Sequence, residues 1–403
     1  VMKWGKVKVG DCCEVTSSKR IFFSEYVDSG VPFYRSKEII ESSNGQAISE
    51  PLFISQEKYN EIKNHFGVPQ SGDMLLTSVG TIGVPYIVRE KDYFYFKDGN
   101  LTWFRNFSDE LDSKYLYFWV KSSEGQSILN NTTIGSSQKA LTIASLKGLE
   151  IPCPPSPVQK RIVEFLAGYD DLIENNQKQI KLLEEAAQRL YKEWFVDLRF
   201  PGHETTPIVD GIPQGWERMV LSEVTSVLKR GISPKYSDNG KYSVINQKCI
   251  RSSIMDISES RRQEKEYVPT LNLQDSDTVI CSTGTGTLGR VGRVYGDYPN
   301  TTFDSHVTLV RAKENPNYIY HVVKSQQEYL MGMGRGSTNQ QELYRDVIER
   351  LVVLCPSQDI LLKADRVLNA IHCKIKAVYL QNNLLVESRD RLLPKLMSGE
   401  LEV

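Results

Sequence analysis

The sequence lacks the features that mark a membrane, secreted or zinc-binding protein. No apolar run approaches the roughly 20 residues that a membrane-spanning helix needs, and the N-terminus shows no signal-peptide pattern. Its seven cysteines are an odd set without a Cys-x-x-Cys spacing, which argues against a disulfide framework or a zinc site. We therefore expect a chain that folds in a reducing cytoplasm.

Motifs for catalysis are also missing. The sequence has no Gly-x-x-x-x-Gly-Lys-Ser/Thr phosphate loop, no metal-ligand spacing among its five histidines and no nucleophile beside a base. His321 and His372 lie in helical patterns, so packing is their expected role. The segment 284–289 matches Gly-x-Gly-x-x-Gly, but a strand pattern follows it where a dinucleotide site needs a helix. It predicts a strand-turn-strand hairpin instead.

The chain also lacks an excess of positive charge. Its formal net charge is −1, whereas nucleic-acid-binding domains are usually basic. This objection weakens if acidic residues are kept away from a binding face. A length of 403 residues favours two or three domains.

What the chain does have is an internal repeat, because its two halves carry matching residues in the same order. The matches are Trp4 with Trp216, Lys19-Arg20 with Lys229-Arg230, 72–83 with 276–289, Asn100, Thr102 and Arg105 with His306, Thr308 and Arg311, 115–122 with 318–325, and 135–138 with 336–339. Two diverged copies predict two similar but non-identical surfaces. That arrangement suits the recognition of two different targets rather than the building of a long repeat array.

Each copy has the same internal order of short, strand-like runs followed by one long helix, which predicts an α+β fold. The predicted bounds are 1–155 for the first strand-rich domain, 156–199 for the first long helix, 200–215 for a connector, 216–356 for the second strand-rich domain, and 357–403 for the second long helix and C-terminal tail. Ser156 as N-cap, Pro157 and Gln159 predict a capping box at the start of the first helix.

Both long helices carry apolar residues at alternating spacings of four and three, which predict a coiled-coil seam. The seam residues are Ile162, Leu166, Tyr169, Ile173, Asn176, Ile180 and Leu183, continued by Ala187, Leu190 and Trp194, and in the second helix Leu368, Ile371, Ile375, Val378, Asn382 and Leu385. Neither helix can bury its seam alone, so we expect the two to pair antiparallel, with a strand-rich domain near each end and a pseudo-twofold between the copies. The single asparagine in each seam either fixes the register or is merely tolerated.

Polar and basic side chains recur in the loops of both copies. They are Lys19, Arg20, Arg35, Lys37, Ser137, Gln138 and Lys139 in the first copy, and Lys229, Arg230, Gln247, Lys248, Asn339, Gln340 and Gln341 in the second. Arg, Lys, Asn and Gln side chains pair with base edges in the major groove, and neighbouring glycines let the backbone approach phosphate. Any one of these residues alone is more often part of a solvated loop, but their recurrence favours a DNA-binding role.

Several stretches carry a resemblance to a known family. They are 152–163 (PCPPSPVQKRIV), 170–176 (DDLIENN), 190–197 (LYKEWFVD) and 392–401 (LLPKLMSGEL), with the Gly-Thr-Ile-Gly and Gly-Ser-Ser-Gln turns. With these the chain resembles the specificity subunits of type I restriction–modification enzymes over essentially its whole length. The second copy departs from the pattern, because 359–362 (DILL) stands where the first copy has Gln-Lys-Arg-Ile.

The resemblance implies two target-recognition domains that each read one half of a bipartite, asymmetric site in double-stranded DNA. The paired helices would set the spacing and dock two modification subunits that methylate adenine, with restriction subunits added where the system has them. S-adenosylmethionine, ATP and Mg would then belong to those partners, and this chain would bind no cofactor and catalyse nothing.

Two other functions remain possible from the residues alone. A methyltransferase would need an Asn/Asp-Pro-Pro-aromatic motif, and Pro154-Pro155 lacks both flanking residues. A coiled-coil scaffold with two protein-binding domains and no DNA role is compatible with the seams and with the neutral charge. Failure to bind DNA with its partners present would favour the scaffold.

Overall fold

The structure is a computed structural model that describes residues 4–43, 45, 48–135, 139–336 and 341–403. Its contacts divide the chain into two compact units, residues 1–176 with 381–403, and residues 177–380. Each unit holds one strand-rich domain and part of each long helix. Because this division cuts both helices, the domain bounds given above, which keep each helix whole, stay a prediction.

The first domain begins and ends with a pair of antiparallel strands, β1 and β10, in which Val7 pairs with Ile151. In chain order its elements are β1 (Lys6–Lys8), α1 (Val9–Cys12), β2 (Glu14–Thr16), β3 (Tyr26–Val27), β4 (Val31–Tyr34), α2 (Ser36–Ser43), β5 (Leu52–Ile54), α3 (Gln56–His65), β6 (Met74–Thr77), β7 (Pro85–Ile87), β8 (Tyr95–Phe96), β9 (Leu101–Arg105), α4 (Ser113–Lys121), α5 (Ser123–Thr132), α6 (Ile143–Lys147) and β10 (Glu150–Pro152). The long helix α7 (Ser156–Tyr191) follows.

The second domain follows a short hairpin and has a similar order of elements, without counterparts of the helices α2 and α3 among its described residues. Its elements are β11 (Ile208–Val209), β12 (Ile212–Pro213), β13 (Glu217–Val220), α8 (Leu221–Val224), β14 (Thr225–Arg230), β15 (Tyr242–Ile245), β16 (Arg261–Gln263), β17 (Thr278–Cys281), β18 (Val291–Arg293), β19 (Thr301–Phe303), β20 (Val307–Ala312), α9 (Pro316–Ser325), α10 (Gln327–Gly332), α11 (Arg345–Glu349) and β21 (Val352–Cys355). The second long helix is α12 (Gln358–Ser398).

The main sheet has the same topology in both domains. Its strand order is β2-β9-β6-β7 in the first domain and β14-β20-β17-β18 in the second. Leu75 pairs with Trp103, and Val279 pairs with Leu309, so the two sheets also share a register. The strands β17 and β18 pair antiparallel around 284–289, which confirms the predicted hairpin.

The central strands of these sheets are buried on both faces. Met74 and Leu76 of β6 pack in a cluster with helix α4, whereas Leu75 packs in a cluster on the other face with Leu101 and Trp103. The alternation follows from the two-residue period of a strand. Because both faces are covered, β6 and β17 read as continuous apolar runs instead of alternating ones.

The long helices pair antiparallel inside each unit, as predicted. In the first unit the Asp170 carboxylate binds the Arg389 guanidinium at 2.6 Å, and the Asn176 side chain donates to the Asn382 Oδ1 at 2.9 Å. In the second unit Ile180 and Leu183 pack in one cluster with Ile371, Ile375 and Tyr379. The buried seam residues are Ile162, Leu166, Ile173, Asn176, Leu368, Ile375, Val378 and Asn382, and Tyr169, Ile180, Leu183, Ile371 and Leu385 are half-buried.

The predicted seam is wrong by one residue at the end of α7. Tyr191 and Phe195 are buried there, while the predicted Leu190 and Trp194 are only half-buried. The helix changes to a π-helical turn at Lys192–Val196. Aromatic packing against the second domain decides the buried face, since Phe195 lies 4.8 Å from Tyr318 between ring centroids.

The predicted capping box at the start of α7 is also wrong. The Gln159 side chain is fully buried and does not cap the helix. Its Nε2 donates to the carbonyls of Glu110 and Pro154, both at 2.8 Å, and its Oε1 accepts from the Asp112 backbone N–H at 2.9 Å. A buried amide must satisfy its donors and acceptor, and here two of the three partners come from the loop before α4.

His321 of α9 and His372 of α12 pack inside the second unit, in line with the packing role expected of them. Their Nε2 atoms lie 3.0 Å apart, and the Tyr295 hydroxyl lies 2.7 Å from the His372 Nδ1. Burial lowers the pKa of His321 to about 3 and that of His372 to about 2. Both rings are therefore neutral near pH 7, and one Nε2–H donates to the other Nε2.

No helix in the described part of the chain combines the length and the apolarity needed to cross a membrane.

Candidate nucleic-acid interface

Four loops meet at one edge of the main sheet in the first domain, where β6 ends and β9 begins. The Ser78 N–H donates to the Asn100 carbonyl at 2.8 Å, and the Ser78 carbonyl accepts from the Leu141 N–H at 2.9 Å. The Ser36 hydroxyl also donates to the Asn100 carbonyl, at 3.4 Å. Behind them the buried hydroxyls of Ser78 and Thr102 are 2.7 Å apart.

The second domain builds the same edge from matching residues. The Ser282 N–H donates to the His306 carbonyl at 2.7 Å, and the Ser282 carbonyl accepts from the Leu343 N–H at 2.8 Å. The buried hydroxyls of Ser282 and Thr308 are 2.6 Å apart. These bonds make His306 the counterpart of Asn100, as the sequence predicts, and Glu342 the counterpart of Ala140.

Three of the predicted DNA-binding residues of the first domain lie on the segments that form this edge. Arg20 is exposed and pairs with Asp98 at 2.8 Å. Lys37 pairs with Glu50 at 2.8 Å, and both side chains are solvent-accessible. Lys139 is exposed beside Ala140, whose backbone lies in the loop joined to Ser78. All three cations can therefore change partners without disturbing the core.

Lys19 and Arg35 make contacts that belong to the folded domain itself. The Lys19 N–H donates to the Tyr95 hydroxyl at 2.6 Å, and its ammonium lies 4.6 Å from the centre of the Phe66 ring. The Arg35 guanidinium binds the carboxylate of Glu38, whose side chain is fully buried. Burial alone would raise the pKa of Glu38, but the hydrogen bonds from Arg35 outweigh it and lower that pKa. Arg35 therefore stabilises a buried charge.

In the second domain Arg230 joins two of the converging loops. Its Nε donates to the Ser305 carbonyl at 2.5 Å, and its Nη1 binds the Glu342 carboxylate. Both side chains keep partial access to solvent, with 28% of Arg230 and 41% of Glu342 exposed. Lys229, the residue before Arg230 on β14, is exposed.

Gln247, Lys248 and Gln341 lie on neighbouring segments of the same edge. The Gly284 N–H donates to the Gln341 carbonyl at 3.4 Å, and a Cβ built on Gly284 would lie 3.7 Å from the Gln247 Nε2. Lys248 is exposed, and its backbone N–H donates to the Asn246 Oδ1 at 2.8 Å. The other four predicted contacts, Ser137, Gln138, Asn339 and Gln340, lie outside the described residues.

The match of Lys19-Arg20 with Lys229-Arg230 is wrong. Thr16 pairs with Trp103 and Lys229 pairs with Leu309, and Trp103 and Leu309 are counterparts in the sheet. The counterpart of Lys229 is therefore Thr16, and that of Arg230 is Ser17. Strand register is set by the ladder, and a basic doublet alone carries no information about it.

The sequence analysis did not predict the backbone bridge that each domain forms at this edge. Ile134 bridges Ala140 in the first domain, and Arg335 bridges Glu342 in the second. The Thr283 hydroxyl and the His306 Nδ1, at 2.5 Å, add a further polar contact to the second edge. The available signal was the position of these residues beside matching turns, but their pairing depends on contacts that the sequence does not reveal.

Among the described residues no group of three or more His, Cys, Asp or Glu side chains is arranged to hold a metal ion.

A profile of the family described as type I restriction modification DNA specificity domain matches residues 2–185 and 213–360. The chain belongs to this family. The two matched segments fall on the two repeats, as expected for a specificity subunit with two similar domains. Since the family is that of specificity subunits, the chain is a non-catalytic subunit of a type I restriction–modification enzyme.

Two curated relatives are similar over most of their length. The MjaIX type I restriction enzyme specificity subunit of Methanocaldococcus jannaschii is 28% identical over 424 aligned residues, which cover 99% of this chain and 94% of the relative. The HindI type I restriction enzyme specificity subunit of Haemophilus influenzae is 22% identical over 65% of this chain and 71% of the relative. The crystal structure of a type I restriction–modification S subunit from M. genitalium matches with a TM-score of 0.57 at 17% identity, covering 98% of this chain and 96% of that one. This match confirms the fold class.

Proposed function

We propose that each domain reads one half of a bipartite, asymmetric site in double-stranded DNA, and that the paired helices set the spacing between the halves. One observation carries the proposal. The two domains share a sheet register and a buried hydroxyl pair at the same edge, yet the exposed residues in front of that pair differ. Two readers of different sequences need a common scaffold and divergent contacts.

The proposed contacts are the accessible polar side chains at the two edges. They are Arg20, Lys37 and Lys139 in the first domain, and Lys229, Arg230, Gln247, Lys248 and Gln341 in the second. Arginine donates to guanine O6 and N7, glutamine binds adenine, and lysine binds guanine or phosphate. We expect Arg35 to contribute less to DNA contact, because its guanidinium is bound to the Glu38 carboxylate.

We further propose that two modification subunits dock on the paired helices and carry out adenine methylation. S-adenosylmethionine belongs to those subunits, and ATP and Mg to the restriction subunits of a complete system. The adenine must leave the base stack to be methylated, so the role of this chain is to hold the register on DNA in the cytoplasm meanwhile. Partners that share the phosphate contacts also account for a net charge of −1.

The test is a base-resolution map of adenine methylation in cells that express this chain with the methyltransferase subunit of its own system. We expect a two-part motif with a fixed gap and different halves, methylated once on each strand, and lost when this chain is omitted. A folded complex that methylates no defined motif would contradict the proposal and favour the scaffold without a DNA role.

A further inference from the structure

The charged pair Arg230–Glu342 lies where three loops of the second domain converge. Arg230 ends β14, Ser305 precedes β20, and Glu342 bridges both Thr283 and Arg335. The Ser305 carbonyl fixes the Arg230 Nε at 2.5 Å, which orients the guanidinium along the edge of the sheet. Within the described part of the chain, these contacts use two of the five N–H donors of the guanidinium.

The first domain has no such pair at the matching positions. The counterpart of Arg230 is Ser17 and the counterpart of Glu342 is Ala140, which bridges Val79 and Ile134 in the same way. The buried hydroxyl pair directly behind is unchanged between the domains. The scaffold therefore forms with or without the two charges.

The pair has little to contribute to stability. Both side chains are partly exposed, and ion pairs of that kind add little to the free energy of folding. Their chemistry, in contrast, suits one base pair. An arginine donates to the O6 and N7 of guanine, and a carboxylate accepts from the N4 amine of cytosine. A donor group held beside an acceptor group is complementary to a G·C pair in the major groove.

We infer that Arg230 and Glu342 together are specificity-determining residues that read one G·C base pair in the half-site of the second domain. The inference rests on the proposed function and adds the base pair that this domain recognises. Ser17 and Ala140 offer neither charge, so the matching position of the other half-site carries no requirement of this kind.

The test uses the variant Arg230→Ser with Glu342→Ala, which places the residues of the first domain at both positions and leaves no charge unpaired. Its adenine methylation is mapped in the complex with the methyltransferase subunit, on a library of sites randomised at every recognised position. We expect the preference for G·C to fall about 10-fold or more at one position of one half-site, with every other position unchanged.

The control is Arg345→Ala in the same domain, which removes an exposed ion pair with Glu349 and should leave the motif intact. An unchanged motif in the double variant, or a uniform loss of methylation without relaxed specificity, would overturn the inference. So would a half-site without any G·C pair. If the unsubstituted complex shows no two-part motif at all, the proposed function itself fails, and the two failures are thereby distinguished.

Discussion

The two domains are alike where they are buried at the edge of the main sheet and different where they are exposed there. Behind the edge, Ser78–Thr102 and Ser282–Thr308 keep the same hydrogen bond at 2.7 and 2.6 Å. In front of it, Ser17 and Ala140 of the first domain are replaced by Arg230 and Glu342 in the second. Buried polar groups must stay paired, while exposed loop residues can change at little cost in folding. The buried residues therefore hold the shape of the edge, and the exposed residues can vary between the domains.

A second difference lies on the side of each domain that faces the helices. Phe118 of α4 packs in an apolar cluster with Ile162 and Leu396, whereas its counterpart in α9 is His321, bonded to His372. At this position the second unit has a polar contact between α9 and α12, where the first unit has an apolar contact between α4 and the long helices. Polar groups in a core destabilise it unless they are hydrogen-bonded. The stability of the two units should therefore respond differently to substitution and to acid.

The largest effect on the free energy of unfolding should come from Asn317→Ala in the polar contact between α9 and α12. The Arg293 side chain is 1% exposed, and its Nη2 donates to the Asn317 Oδ1 at 2.6 Å. The Asn317 Nδ2 in turn donates to Asp365 of α12 at 3.1 Å. Removing Asn317 takes away the shorter hydrogen bond of a buried cation, which keeps only a long one to the Pro316 carbonyl at 3.4 Å. The substitution should lower the free energy of unfolding by about 3 kcal/mol. Hydrogen exchange of peptides from β18 at increasing urea concentrations measures this loss of stability.

Arg293→Met is the matched control for that substitution. An apolar side chain of similar length needs no partner, so its stability should stay within about 1 kcal/mol of the parent. Adding Asn317→Ala to Arg293→Met should then cost much less than Asn317→Ala alone. Equal costs in both backgrounds would mean that Asn317 does not act by satisfying Arg293.

A smaller effect is expected at the asparagine pair of the helix seam in the first unit. Asn176→Leu or Asn382→Leu leaves the other buried amide without its partner, which should cost about 1–3 kcal/mol. The double leucine variant removes both amides and should be as stable as the parent or more so. The denaturation midpoints of the parent, the two single variants and the double variant test this expectation. A double variant destabilised by the sum of the two single effects would contradict it.

The last effect is a dependence of the free energy of unfolding of the second unit on pH. Burial lowers the pKa of His321 and His372 far below the ordinary 6.5, so below that value the unfolded chain binds protons that the folded one excludes. Stability is then present above pH 6.5 and is lost as pH falls, by about 1.4 kcal/mol per histidine for each pH unit below 6.5. Melting temperatures at pH 7.5 and 5.5 should show this loss.

The double variant His321→Phe with His372→Leu should flatten that pH dependence, since phenylalanine already occupies the matching position in the first domain. The control is His65→Ala, which removes an exposed histidine and should leave the slope unchanged. A slope that survives in the double variant would show that other groups cause the loss of stability in acid.

The repeat, the two α+β domains and the seams could be predicted from the sequence because their signals are local. The spacing of Ile162, Leu166 and Ile173 specifies a buried stripe without knowledge of the partner helix. The strand after Gly289 likewise excluded a dinucleotide site and left the hairpin that the structure has.

The rest depends on contacts between distant segments. Gln159 looks like a capping residue until the loop at 110–112 is placed against it. The counterpart of Arg230 could not be found by matching charges, because only the ladder with β20 shows that it is Ser17. The partners of Tyr191 and Phe195 come from α9, more than a hundred residues away.

We propose above that each domain reads its own half-site through the edge of its sheet. The most direct test of this proposal is a chain in which a second copy of residues 4–155 replaces residues 216–356, expressed with the methyltransferase subunit and followed by base-resolution mapping of adenine methylation. We expect a symmetric motif that consists of the first half-site and its inverted repeat. Survival of the original second half-site in that motif would contradict it.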